Sequence, residues 1–138
     1  MTFEHLANLF YNWGYEVKME HYFLFRNYLL NMLNRDRVLI VKSGQLIEAI
    51  ATYYLTNDYT KIYKKHTWDL VDDEPDGKQV YVDKMVCRRY SRFLRNLIGS
   101  SFEERFPKAE MLVYHRAPKD RCVKVERRSV HELQSTVS

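Results

Sequence analysis

One arrangement restricts this chain more than any other. Gln79–Cys87 alternates like a strand, with Val80, Val82 and Val86 on one side and Tyr81, Asp83 and Met85 on the other. Residues 88–106 then place Tyr90, Phe93, Leu94, Leu97, Ile98 and Phe102 at i, i+3, i+4 spacing, which predicts an amphipathic helix ended by Pro107. Glu110–Arg116 follows as another apolar strand. A strand, a long helix and a strand in direct succession call for a right-handed crossover between parallel neighbours.

The flanking segments fill in the architecture. Phe3, Leu6, Phe10 and Trp13 recur at helical spacing over residues 3–13, with Thr2 as N-cap and Gly14 as the stop. Residues 20–34 repeat the pattern through Phe23, Leu24, Leu30 and Leu33, and Asn34 is placed to close that helix. The β-branched run Arg37–Ser43 turns at Ser43-Gly44 into Gln45–Leu55, which predicts a hairpin. Residues 57–78 are irregular, with one helical turn near Tyr59 and a firm turn at Pro75-Asp76-Gly77. Strands Glu110–Arg116 and Arg121–Arg128 are joined by Ala117-Pro118-Lys119-Asp120, and 129–138 reads as a tail with one helical turn around Val130–Leu133. The expected fold class is α/β (α+β): a single domain over 1–138 with a mixed, mostly antiparallel sheet flanked by helices.

Composition narrows the function classes. A chain of 138 residues, 46% hydrophobic and 29% charged, supports one packed core and excludes wholesale disorder. Apolar runs such as Val38–Val41 fall far short of the ~20 residues that a membrane span needs, and residues 1–15 carry no secretory pattern. Cys87 and Cys122 alone make neither a disulfide framework nor a metal knuckle, so a reducing, cytoplasmic setting is expected. His5, His21, His66, His115 and His131 are scattered without ligand spacing, and no metal site is expected.

Charge is divided along the chain. Residues 1–83 carry 9 basic and 12 acidic groups, whereas residues 84–138 carry 13 and 6. Arg88, Arg89, Arg92 and Arg95 crowd the start of the expected helix, where each cation opposes the macrodipole by about 0.3–1 kcal/mol. Something anionic should compensate them. Three sources fit: a CoA-type phosphate, a nucleic-acid backbone, or carboxylates such as Asp72, Asp73, Glu74 and Asp76 of this chain or of a partner. Cys87 beside Arg88 and Arg89 has a setting that lowers a thiol pKa, although a buried strand-end thiol is the simpler reading. The block Tyr22–Leu30, including Tyr22 and Phe25, is aromatic almost all round, so part of it is expected to meet another chain.

The stretch Asp36–Leu55, a buried strand, a short turn and a return strand rich in small residues, together with Gln79–Cys87, resembles the hairpin and central strand of the GNAT acyltransferase superfamily. The resemblance covers roughly residues 36–116 and rests on element order and apolar rhythm. It implies two helices ahead of a hairpin and a central strand running into a helix that holds acyl-CoA. That family's motif at this helix is Gln or Arg, two residues, Gly, one residue, then Gly or Ala, because stripped backbone amides approach the pyrophosphate. The nearest register here is Arg89-Tyr90-Ser91-Arg92-Phe93-Leu94, with Arg92 and Leu94 where the small residues belong. The family's helix between the last two strands, with its general-acid Tyr, is replaced by Ala117–Asp120.

The resemblance therefore implies a degenerate, non-catalytic structural or interaction module without cofactor, of the short type that tailed bacteriophages encode as virion or accessory proteins. A protein partner or homo-oligomer follows, through Arg88, Arg89, Arg92, Arg95, Tyr22 and Phe25. The alternative is an acetyl-CoA-dependent N-acyltransferase in which Arg88, Arg89 and Arg92 hold phosphates and Asp83, or less readily Glu48, serves as general base. Against that role, Asp83 also reads as a strand-end carboxylate paired with Lys78, Lys84 or Arg88. A third possibility is a nucleic-acid-binding protein that uses Arg88–Arg95 and the basic strand Arg121–Arg128.

Overall fold

A computed structural model describes residues 1–116 and 121–126. The expected tail at 129–138, the connector Ala117–Asp120 and the end of the last expected strand lie outside the described residues. Helix α1 (Phe3–Asn12) opens the chain, capped by the Thr2 hydroxyl, which accepts the His5 N–H at 3.2 Å. Gly14 follows in the left-handed region at φ 108°, where a side chain would be strained. After a short 3-10 turn at Met19–His21, helix α2 runs from Tyr22 to Asn34. Its last residue is Asn34, where the sequence pattern closes it, and Arg35 is the C-cap. Asp36 takes the left-handed conformation (φ 56°), and the N–H groups of Asp36 and Arg37 turn back to the Leu33 and Met32 carbonyls.

Strands β1 (Val38–Ser43), β2 (Leu46–Thr56), β3 (Gln79–Cys87), β4 (Met111–Arg116) and β5 (Arg121–Glu126) form one sheet in that order. β3 is central and lies parallel to β4, and the other neighbours are antiparallel. The fold is thus α+β, with a mixed sheet and helices. Helix α3 (Arg92–Arg105) supplies the connection between β3 and β4. It starts four residues later than its apolar rhythm suggests, because Ser91 is extended and its hydroxyl caps the Leu94 N–H at 3.0 Å.

Helices cover both faces of the sheet. On one, Leu6 and Phe10 of α1 and Phe25, Tyr28, Leu29 and Met32 of α2 pack with Val38, Ile50, Tyr54, Tyr81, Val86, Val113 and Trp68. On the other, Leu94, Ile98 and Phe102 of α3 pack on Leu39, Val41, Ala49, Ala51, Tyr53, Leu55, Val80 and Val82. Burying each of the three α3 side chains contributes about 1.5–3 kcal/mol.

Two bulges interrupt the ladders. The β1–β2 register passes from Val41↔Ala49 to Lys42↔Ile47, which leaves Glu48 unpaired. The β2–β3 register passes from Thr52↔Lys84 to Tyr53↔Val82, which leaves Asp83 unpaired. An extra residue reverses the alternation beyond it. Val86 accordingly packs with α1 and α2, not beside Val80 and Val82 as strict alternation requires. The parallel β3–β4 pairing ends at Val82↔Tyr114, so β3 beyond its bulge is paired to β2 alone.

Candidate functional site: a sealed polar centre and an exposed arginine ridge

Asp83 is the hub of a buried polar centre. The bulge turns its carboxylate toward α2, where it accepts a hydrogen bond from the Tyr28 hydroxyl and meets Lys65 Nζ at 3.0 Å. Lys84 Nζ stands 3.7 Å away on the other oxygen. The three charged side chains are only 5–10% exposed. Since the carboxylate can only accept, the tyrosine must donate to it, and Thr52 then donates to the tyrosine at 2.7 Å. Thr52 in turn accepts the Lys84 backbone N–H at 3.1 Å, so one unbroken chain of hydrogen bonds ties bulge, sheet and helix together.

The rings around this centre complete it. Trp68 packs against Tyr28, Phe25 and Tyr15, and Lys84 Nζ lies 5.4 Å from the centroid of its ring. Lys65 Nζ lies 5.2 Å from the Tyr28 centroid. Burial lowers the Lys84 pKa, and the neighbouring Lys65 charge pushes the same way against the pull of Asp83. Burial first, and the Asp83 charge second, hold the Tyr28 phenol neutral well above its ordinary range. A cleft of about 540 Å³ shares Trp68 and Tyr15 with the surroundings, but Asp83, Lys65, Lys84 and Tyr28 do not line it. A general base needs a path to its substrate's proton. This carboxylate has two ammonium groups and a phenol instead.

Several expected pairings change. Of the partners expected for Asp83, Lys84 is in place, while Lys78 pairs with Glu110 at 3.7 Å and Arg88 with Glu48 at 3.1 Å. Glu48 is fixed twice, since its carbonyl also accepts the Arg88 N–H at 2.9 Å. The acidic segment does not reach the arginine cluster. Asp73 binds Arg37 at 2.5 Å and accepts the Leu55 N–H, while Glu74 binds Thr56 and Asn57 at the end of β2. Cys87 is not activated, because burial raises its thiol pKa. Phe25 is fully buried in the core and cannot be a contact residue, whereas its neighbours Tyr22, Phe23 and Leu24 are exposed. Lys65, Trp68 and Tyr28 were not read as site residues, since two lie in the irregular segment and the third fits a core pattern.

The turn between β3 and α3 carries the second feature. Arg88 and Arg89 precede the helix instead of belonging to it, and Arg92 and Arg95 lie one turn apart on it. Tyr90 and Phe93, expected in the core, are 61% and 67% exposed. The Ser91 cap causes this, because starting the helix at Arg92 leaves Leu94, Ile98 and Phe102 as the inward stripe. Among the described residues, Arg89, Arg92 and Arg95 have no ion-pair partner. Also among the described residues, no group of His, Cys, Asp and Glu is placed to hold a metal ion, and no helix is long and apolar enough to cross a membrane. In comparisons with protein-family models, curated proteins and solved structures, nothing matches this chain.

Proposed function

We propose that this chain is a non-catalytic binding module on a GNAT-like frame, and that it engages its partner through the ridge formed by Arg89, Tyr90, Arg92, Phe93 and Arg95. The observation that carries this reading is the pairing of two largely exposed rings with three guanidinium groups that lack an ion-pair partner among the described residues. Folding alone gives no reason to place large rings in water between like charges. A partner that buries the rings and neutralises the cations gives one.

The sealed centre supports the same reading from the other side. Asp83 has its acceptor sites taken by Tyr28, Lys65 and Lys84, and lies outside the neighbouring cleft. The start of α3 also lacks what an acyl-CoA pyrophosphate needs. The Ser91 hydroxyl already accepts the Leu94 amide, and Arg92 and Leu94 carry side chains where the acyltransferase motif has small residues.

Calorimetry with acetyl-CoA at millimolar concentration tests the proposal. The expected result is no saturable heat. Saturable binding that Arg92→Glu abolishes would overturn the module and put the acyltransferase reading first.

A further inference from the structure

The arginine ridge has a pattern that points to the chemistry of its partner. Between Arg88 and Phe102 the sequence contains no acidic residue. Arg88 is neutralised by Glu48, and among the described residues Arg89, Arg92 and Arg95 have no ion-pair partner. Tyr90 and Phe93 stand among them, and each is exposed over more than half of its surface. Cation and ring alternate along the ridge: Arg89, Tyr90, Arg92, Phe93, Arg95.

That alternation separates the classes of partner. Protein–protein interfaces also enrich arginine and aromatic rings, but their buried centre is a contiguous patch depleted of charge overall. Here every exposed ring has a guanidinium beside it in sequence, so a protein surface would have to bury charge at each ring. A single-stranded nucleic acid alternates in the same way, with one phosphate and one flat base per nucleotide. Arginines take the phosphates and the rings stack on the bases. A duplex is a poorer match, because its base faces are already covered by their neighbours. The N-terminus of α3 adds its own partial positive charge to the three cations, which a polyanion relieves and water does not.

From these observations, and resting on the binding-module reading, we infer that Arg89, Tyr90, Arg92, Phe93 and Arg95 form a binding site for single-stranded nucleic acid, with phosphates on the arginines and bases stacked on Tyr90 and Phe93. The site is indifferent to base identity, since every base offers a π face.

Fluorescence anisotropy of a labelled oligothymidylate of about 12 nucleotides, within the span of one small binding module, tests it. Three phosphate contacts to a single strand predict a roughly 20-fold weakening when salt is raised about fourfold. Phe93→Ala should weaken binding by about 5- to 150-fold, the range for loss of one stacked base. Its thermal midpoint should stay near the parent's, because the ring is exposed. Arg92→Glu should weaken binding and flatten the salt dependence, and an unlabelled duplex should compete poorly. Salt-dependent binding that Phe93→Ala leaves unchanged, or that a duplex competes away equally, overturns the inference. Failure to bind the oligonucleotide, combined with Arg92-dependent binding of polyglutamate, overturns it too, but leaves the module reading standing. Failure with both polymers, together with saturable acetyl-CoA binding, overturns both.

Discussion

Asp83→Asn should be the most damaging polar substitution in this protein. The change keeps the shape of the side chain and removes its charge. Two ammonium groups, Lys65 and Lys84, then remain at 3.0 and 3.7 Å from a neutral amide, with side chains 6% and 10% exposed. Removing one partner from a buried ion pair costs about 3–5 kcal/mol, because the other charge stays desolvated. At about 4 °C per kcal/mol for a chain of this size, the thermal midpoint should fall by roughly 12–20 °C. Lys84→Met is the counter-experiment. Its ammonium lies over the Trp68 ring, and methionine keeps an unbranched side chain there while removing the second of two cations that share one carboxylate. The Asp83–Lys65 pair survives, so the change should stay within about 1 kcal/mol of the parent, since replacement of buried charge by apolar volume is often neutral or stabilising. The double variant Asp83→Asn/Lys65→Met should recover part of the loss, with a coupling of about 0.5–3 kcal/mol. Urea unfolding followed by circular dichroism measures all of these. A cost below about 1 kcal/mol for Asp83→Asn, or equal costs for Asp83→Asn and Lys84→Met, would refute the reasoning. The first result means that water reaches the carboxylate, and the second that Asp83 needs both cations.

Two further outcomes follow from local geometry. Burial lowers the Lys84 pKa in the fold, so the unfolded chain binds that proton more tightly and stability should rise with pH up to about 10.5. The phenols act in the opposite sense: burial raises Tyr28, Tyr54 and Tyr15 (the last to about 12), and that contribution, full below pH 10, is lost as pH climbs through the raised values. The urea midpoint should therefore climb toward pH 10 and then drop, with Lys84→Met removing the climb and sparing the drop; a steady decline from pH 8 in the parent would contradict this. Among the glycines, Gly77→Ala should cost about 1–3 kcal/mol, since the new Cβ would meet the Thr56 backbone N, C and Cα at 2.4, 2.7 and 2.8 Å. Gly99→Ala, inside α3 with nothing within 4 Å, should gain about 0.5–1 kcal/mol, and equal effects at the two positions in thermal unfolding would count against the close approach at Thr56.

The elements that could be read from the sequence are those whose signals are local. Thr2 ahead of an apolar period, Ser43-Gly44 between β-branched runs, and the strand at Gln79–Cys87 each combine a propensity with its own punctuation, and all three stand where the pattern puts them. What was not legible depends on one-residue events. A bulge inserts a single position into a two-residue period, and nothing in the types Glu48 or Asp83 announces it, so Val86 changes face without any compositional sign. The start of α3 was missed for a related reason. Tyr90 and Phe93 extend the i, i+3, i+4 rhythm backwards and look like core, although Ser91 is the better cap and fixes the inward stripe one step further on. The polar centre lay further out of reach, because Tyr28, Thr52, Lys65 and Asp83 meet across as many as 55 residues of sequence, and Lys65 comes from a segment without any period. Both carboxylates read from the sequence as general-base candidates turn out to be the residues left unpaired at the two bulges, each held by a basic side chain. A carboxylate displaced from a ladder must find a cation to stay buried. Here the displaced residues found Lys65 and Arg88, and among the described residues that pairing leaves Arg89, Arg92 and Arg95 without an ion-pair partner.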